Sequence, residues 1–230
     1  MLLISLLGAV VTPLMIFVDV IKLRMDNSGK MITYYGVFED TNMYLMLLFG
    51  MIVYTLIGAY LFSREYTENT LKTILTVPVS KTVFIAAKFL MLLIWILGLT
   101  AVSWFCTLFF AVIGKVADFS MTIIIKTIYE YFFGAILVYL VILPFIFIAI
   151  KTKNLVTPII VVTAVAMGSA AVINEPEAAL YPWAATNLLV TDTLVKRTSH
   201  SIWPSVIMIT VLAAVGLIAS LIYFNKHDVK

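Results

Sequence analysis

The stretch SREYTENTLKTILTVPVSK, Ser63 to Lys81, carries two acids, three bases and a proline between two of the most apolar segments of the chain. Before it, about 43–62 is unbroken hydrophobic sequence; after it, about 82–113 is again apolar. Within it, Leu71, Ile74 and Leu75 fall at i, i+3 and i+4, the spacing of one helical face. Glu68 and Lys72 form an i, i+4 pair in the favourable order. Thr67 and Asn69 are candidate N-caps, and Glu65 and Glu68 lie where a helix N-terminus favours acids. Pro78 stops the helix, since it has no N–H and disfavours helical backbone at Val77. Ser80 is placed to cap the next helix. A short amphipathic helix over Thr70–Thr76, tied at both ends to long apolar segments, is therefore expected.

Working outward, apolar runs long enough to cross a bilayer recur along all 230 residues, of which 63% are hydrophobic and 12% charged. Soluble domains are about half apolar and a quarter charged. Backbone crossing lipid must satisfy its own hydrogen bonds, and runs this long suit helices, not barrel strands. The fold expected is an all-α membrane protein: one domain of six transmembrane helices over about 2–21, 43–62, 82–113, 131–150, 155–173 and 202–224, with the short helix between spans 2 and 3 outside the membrane. The third run is too long for one straight crossing, so its first turns are expected in the cytoplasm or at the interface. Pro13, Pro144 and Pro158 stand where they would kink spans 1, 4 and 5.

Six crossings place the loops alternately on two sides. One set, Ser63–Lys81 with Lys88, KTKN at Lys151–Asn154 and the tail NKHDVK, contains eight Lys or Arg. The other, Lys22–Asn42, Gly114–Glu130 and Asn174–Ser201, contains seven spread over longer loops. The positive-inside rule favours the first set, and hence both termini, as cytoplasmic. On the outer side, MDNSGK (Met25–Lys30) reads as a turn cluster. The segment NEPEAALYPWAATNLLVTDTLVKRTSHSIWP, Asn174–Pro204, offers Tyr181, Trp183 and Trp203, rings that favour the headgroup level. Leu188, Leu189 and Leu194 give it an amphipathic pattern, so it is read either as short helices dipping into the outer leaflet or as an ordered surface loop.

Several chemistries lack their parts. There is no GxxxxGK[ST] phosphate loop, so the chain has no ATPase site of its own and no cofactor is expected in it. His200 and His227 fall in loop and tail. Cys106 is the one cysteine, which excludes a disulfide within the chain. Ser169 in MGSAA has no intramembrane base beside it and reads as small-residue helix packing. The bases are scattered, with a net charge of +3, and leave no nucleic-acid footprint. Span centres carry no ionisable residue; Asp19 and Glu130 lie at span boundaries. The polar segment Ser63–Lys81 is thus the place where an outside source of energy would act, through docking into a partner's groove. A helix lying passively on lipid is the alternative.

The run REYTENTLKTILTVPVSKTVFIAAKF, Arg64–Phe89, resembles the segment after the second span of type-2 ATP-binding-cassette export permeases. In that family a Glu, a small residue–Thr–hydrophobic–Lys cluster and a P-[small]-S-[KR] element precede a helix ending near a Lys. Arg64, Glu65, Thr70, Leu71, Lys72, Pro78, Ser80, Lys81 and Lys88 match in place; Asn69 stands where the family usually has Gly. The chain is similar above all to bacitracin and lantibiotic immunity permeases. Such permeases usually begin with a basic interfacial helix. This sequence enters span 1 almost at once, leaving that element shortened or missing.

The resemblance implies a permease subunit in the bacterial cell membrane, not itself an enzyme. It would pair with a second copy or a sister permease and bind a cytoplasmic ATPase that holds ATP and Mg. ATPase docking would fall to Arg64, Glu65, Glu68, Asn69, Thr70, Leu71, Lys72, Ile74, Leu75 and Pro78. An amphipathic peptide antibiotic or other hydrophobic compound would be the cargo. A non-ABC channel-like or sensory membrane protein is the alternative that the residues leave open.

Overall fold

The computed structural model describes residues 2–26, 32–67, 80–198 and 200–226. Helix α1 covers Leu2–Met25. Next, α2 (Tyr34–Tyr44) passes through a π turn at Leu45–Phe49 into α3 (Gly50–Thr67) without a break. Three further helices follow: α4 (Lys81–Ile113), α5 (Met121–Thr152) and α6 (Val156–Val172). A 3-10 turn at Pro176–Leu180 and two short helices, α7 (Pro182–Val190) and α8 (Leu194–Thr198), lead to α9 (Ile202–Lys226). No strand occurs among the described residues; Thr33 and Ala117 form one isolated bridge. Five helical segments are long and apolar enough to cross a membrane: α1, the joined α2–α3, α4, α5 and α9. The sixth, α6, is a largely apolar helix of 17 residues, about 25 Å of helix against a hydrocarbon core of about 30 Å.

Burial divides the helices by face. In α1, Ser5, Ala9, Thr12, Ile16 and Val20 are buried at helical spacing, mainly against α4. The opposite face presents Leu3, Leu7, Val11, Leu14 and Val18 to the outside. In α4, the row Ile85, Phe89, Leu92, Ile96 and Leu99 turns inward, while Leu90, Ile94, Phe105 and Phe109 face out. The exposed rows on α1, α4 and α9 far exceed the apolar patches soluble monomers tolerate, and hydrocarbon accounts for them. Helix α5 is the hub, in contact with α2, α3, α4, α6, α7 and α9.

Helix α9 meets α5 through the stripe Ser205, Ile209, Ala213, Gly216, Ser220 and Phe224. Small residues are what bring membrane helices close, since lipid gives apolar side chains no incentive to leave it. At Gly216 the approach is closest: a Cβ there would lie 2.6 Å from the Pro144 nitrogen and 2.7 Å from the Leu143 carbonyl carbon. Gly50 has a different role, closing the π turn where a Cβ would collide with the Leu45 carbonyl oxygen.

The joined helix of span 2 and helix α5 each begin about ten residues before the expected boundaries. Thr33 caps α2, its Oγ1 accepting from Gly36 N at 3.2 Å. Charged Glu39 and Asp40 disguise this stretch as loop, yet Tyr34, Val37, Phe38 and Thr41 are buried at i, i+3, i+4 and i+7. They meet Ile124, Thr127 and Tyr131 at the start of α5, with the Phe38 and Tyr131 rings edge to face at 5.9 Å. Ends elsewhere follow the expectation within a few residues. Ser80 caps α4 by accepting from Val83 N at 3.3 Å. Lys153, in left-handed backbone with φ 53°, makes the tight turn between α5 and α6, and Asn154 Oδ1 accepts from Val156 N at 2.9 Å. Pro13 and Pro144 lie inside helices that continue through them. Pro158 occupies the first turn of α6, where its missing N–H has no intrahelical partner to lose.

Candidate functional site

Residues 68–79 lie outside the described residues, and with them Glu68, Asn69, Thr70, Leu71, Lys72, Ile74, Leu75 and Pro78 of the expected docking helix. Glu65 belongs to the last turn of α3, its side chain likewise outside the description. The frame that presents this linker is described on both sides. Arg64 is exposed on α3, its guanidinium 5.7 Å from the centre of the Tyr60 ring.

Around that frame three helix ends converge. Lys88, two turns into α4, donates from Nζ to the Leu61 carbonyl of α3 at 2.6 Å. The same ammonium lies 5.2 Å from the Phe62 ring and 4.9 Å from the Phe84 ring, within cation–π range. Phe62 meets Phe89 at 5.0 Å, and Tyr139 of α5 donates to the Phe89 carbonyl at 3.3 Å. The end of α9 joins through Phe224 stacked on Phe84 at 6.1 Å and Asn225 hydrogen-bonded to Thr82. A shallow cavity of about 190 Å³ opens beside Arg64, lined by Ser5, Ile57, Tyr60, Leu61, Met91 and Trp95.

The opposite end of the bundle is built differently. Arg24 of α1 donates to the Lys115 carbonyl at 2.6 Å. A cavity of about 590 Å³ separates α1 from α2 there, with Asp19, Lys22, Asp26 and Asp40 at its walls and Ile16, Val20, Val37 and Met43 behind them. Nearby, Glu130 is buried, accepts from Tyr35 Oη at 3.1 Å and is 3.6 Å from Lys126 Nζ. The sequence marks Glu130 as a boundary residue; in the structure it sits in the tenth position of an unbroken helix. The Lys126–Glu130 spacing of four was the available signal. Among the described residues, no group of three or more His, Cys, Asp or Glu is placed to hold a metal ion.

The segment between α6 and α9 folds back into the bundle. Leu188 and Leu194 are buried with Leu47, Ile173 and Ala184, and Leu189 packs at the edge of the same cluster. Trp183 stacks on Phe145 at 5.9 Å and donates from Nε1 to the Val141 carbonyl at 3.1 Å. Val141 is next to Leu140, whose carbonyl Pro144 cannot serve. Tyr181 donates to the Val165 carbonyl of α6 at 3.3 Å. Carbonyls of α6 and α5 thus satisfy the polar tips of Tyr181 and Trp183. Trp203 is exposed, as an interfacial ring would be. Ser205 anchors the segment to α9, donating to the Ala179 carbonyl at 2.7 Å. Ser169 donates to its own helix, to the Val165 carbonyl at 3.0 Å, as a small packing residue would.

Long apolar helices and outward apolar faces define a polytopic helical membrane protein. The family model of the ABC-2 family transporter protein matches residues 1–169, which include the whole of the polar linker. The chain is also 36% identical over 192 residues to the bacitracin transport permease protein BCRB of Bacillus licheniformis, covering 84% of this chain and 91% of that one. No solved structure matches. The chain belongs to the ABC-2 family of transporter proteins, as a multi-pass membrane permease.

Proposed function

We propose that the chain is the membrane-spanning subunit of an ATP-driven exporter, that its linker at Arg64–Pro78 docks a separate ATPase, and that its cargo is an amphipathic peptide antibiotic of the bacitracin type. The observation that carries this is the junction of α3 and α4. A polar segment with an amphipathic pattern is held between two long apolar helices whose ends are tied together by Lys88, Phe62 and Phe89. Membership of the ABC-2 family supports an ATPase partner, and the likeness to the bacitracin transport permease of Bacillus licheniformis supports the cargo class. In this reading α6 is a sixth crossing, completed by the re-entrant segment that follows it. The linker, the Lys153 turn and both termini then face the cytoplasm of a bacterial cell, where the denser basic loops belong. ATP and Mg stay with the partner, and two permease subunits, identical or sister, form the path.

The test is co-purification. With the wild-type permease in gentle detergent, an ATPase carrying GxxxxGK[ST] is expected to be recovered, and cells expressing the pair are expected to tolerate bacitracin. Leu71→Asp or Glu68→Lys is expected to leave insertion intact and release the ATPase. Unchanged recovery and tolerance in both variants would leave the linker as a helix lying on lipid.

A further inference from the structure

We infer that Lys88 is the positioning residue that makes α3 and α4 move as one body when the linker between them is pushed; this rests on the docking role proposed above. The direct contact between α3 and α4, which includes a buried hydrogen bond of 3.0 Å between Tyr54 Oη and Thr100 Oγ1, is the smaller part of each helix's packing: α3 packs chiefly on α5 and α6, and α4 chiefly on α1 and α5. Two helices joined by so small a direct contact, with α5 as their main shared support, would answer a push on their connecting loop by splaying. The displacement would be absorbed at the linker and not passed to the spans.

The Lys88 ammonium opposes that splay. It reaches across to the Leu61 carbonyl at 2.6 Å, and one aromatic ring from each helix, Phe62 and Phe84, flanks it. A lysine that merely snorkels runs its stem along the apolar surface and leaves its head in water. Here the side chain is half-buried and its head group faces the backbone of the neighbouring helix. In such partly desolvated surroundings a charge-assisted hydrogen bond is stronger than its counterpart in water. Its place adds to the effect. Leu61 lies six residues before the end of α3 at Thr67, and Lys88 seven residues after the start of α4 at Lys81. The clamp therefore sits about 10 Å behind the linker on both helices, by the rise of 1.5 Å per residue. Phe84 extends it to α9 through Phe224.

The decisive measurement separates assembly from coupling. Permease and ATPase are co-expressed, purified together and assayed for ATP hydrolysis, and the same cells are assayed for bacitracin tolerance. Lys88→Met keeps the stem and removes the ammonium. It is expected to insert, to recover the ATPase in wild-type amount and to hydrolyse ATP, while transport per ATP falls by about tenfold, within the usual range for coupling between sites. Lys88→Arg, which restores a cation to the carbonyl, is expected to recover most of the loss. Equal coupling in wild type and Lys88→Met overturns the inference and leaves the docking reading standing. Lost insertion or lost ATPase recovery in Lys88→Met overturns it too, by making the contact purely structural. A wild-type permease that recovers no ATPase removes the docking reading and this inference with it.

Discussion

Replacing Gly216 by alanine adds one methyl group at the closest approach of two helices in the bundle. The new Cβ would lie 2.6 Å from the Pro144 nitrogen, 2.7 Å from the Leu143 carbonyl carbon and 3.0 Å from Leu143 Cβ. Two of these three neighbours are backbone atoms, so no rotamer change relieves the clash. Ordinary contact between such atoms is about 3.5–4.0 Å, so α9 must withdraw by about 1 Å along the stripe Ser205–Phe224. A gap of that size costs each facing atom pair about a quarter to a half of its dispersion energy. Overpacking of this kind destabilises by about 1–3 kcal/mol. For a chain of this size each kcal/mol moves the melting temperature by about 2–4 °C. A fall of about 2–12 °C is therefore expected for purified Gly216→Ala in detergent, followed by tryptophan fluorescence.

Gly98 supplies the internal control. It lies on the exposed face of α4, and a Cβ there meets nothing within 4 Å. Gly98→Ala gains only helix propensity, up to about 1 kcal/mol, so its melting temperature should equal or exceed that of the wild type. A Gly216→Ala variant that melts with the wild type, or a Gly98→Ala variant that falls as far as Gly216→Ala, would refute the claim that backbone contact at Pro144 sets the α5–α9 distance.

Two further substitutions probe the polar ties away from the linker. Trp183→Phe keeps a ring against Phe145 and removes the donor to Val141; a loss of about 1 kcal/mol is expected, against about 3–5 kcal/mol for Trp183→Ala, read by the same melting assay. Glu130→Ala strips the acceptor from Tyr35 and should cost about 1–2 kcal/mol, whereas Glu130→Gln keeps an acceptor there and should melt nearer the wild type; the reverse order would show that Glu130 does not hold Tyr35.

What was legible in the sequence was whatever lipid imposes. Runs that must bury their own backbone announce themselves by length, and so the ends of α4, α6 and α9 fell within about two residues of expectation. Ser80, Lys153 and Asn154 were legible for another reason, since caps and tight turns are local chemistry. The extensions of the span-2 helix and of α5 before the expected spans were not. Their helical signal lies in which residues face each other, Phe38 toward Tyr131 and Tyr35 toward Glu130, and a hydropathy run cannot carry it. For Trp183 the sequence shows only an amphipathic ring, which suits an interface equally well as a site with one acceptor inside the fold. Only the fold supplies the Val141 carbonyl.

Lys88 shows the same limit nearer the linker. In the sequence it is one base in a motif. In the fold its partner is a backbone carbonyl 27 residues away, an acceptor that every residue possesses and no motif can mark. That tie changes what the linker can do. A docking segment between independent helices would be a tether, whereas one whose flanking helices are clamped together, and lean on α5 together, is a lever. Helix α5 also carries Trp183 at Val141 and Phe145, so on the proposed docking role the element that would receive the push also holds the segment between α6 and α9. The helices that flank the linker and the segment between α6 and α9 thus share one helix as their common support.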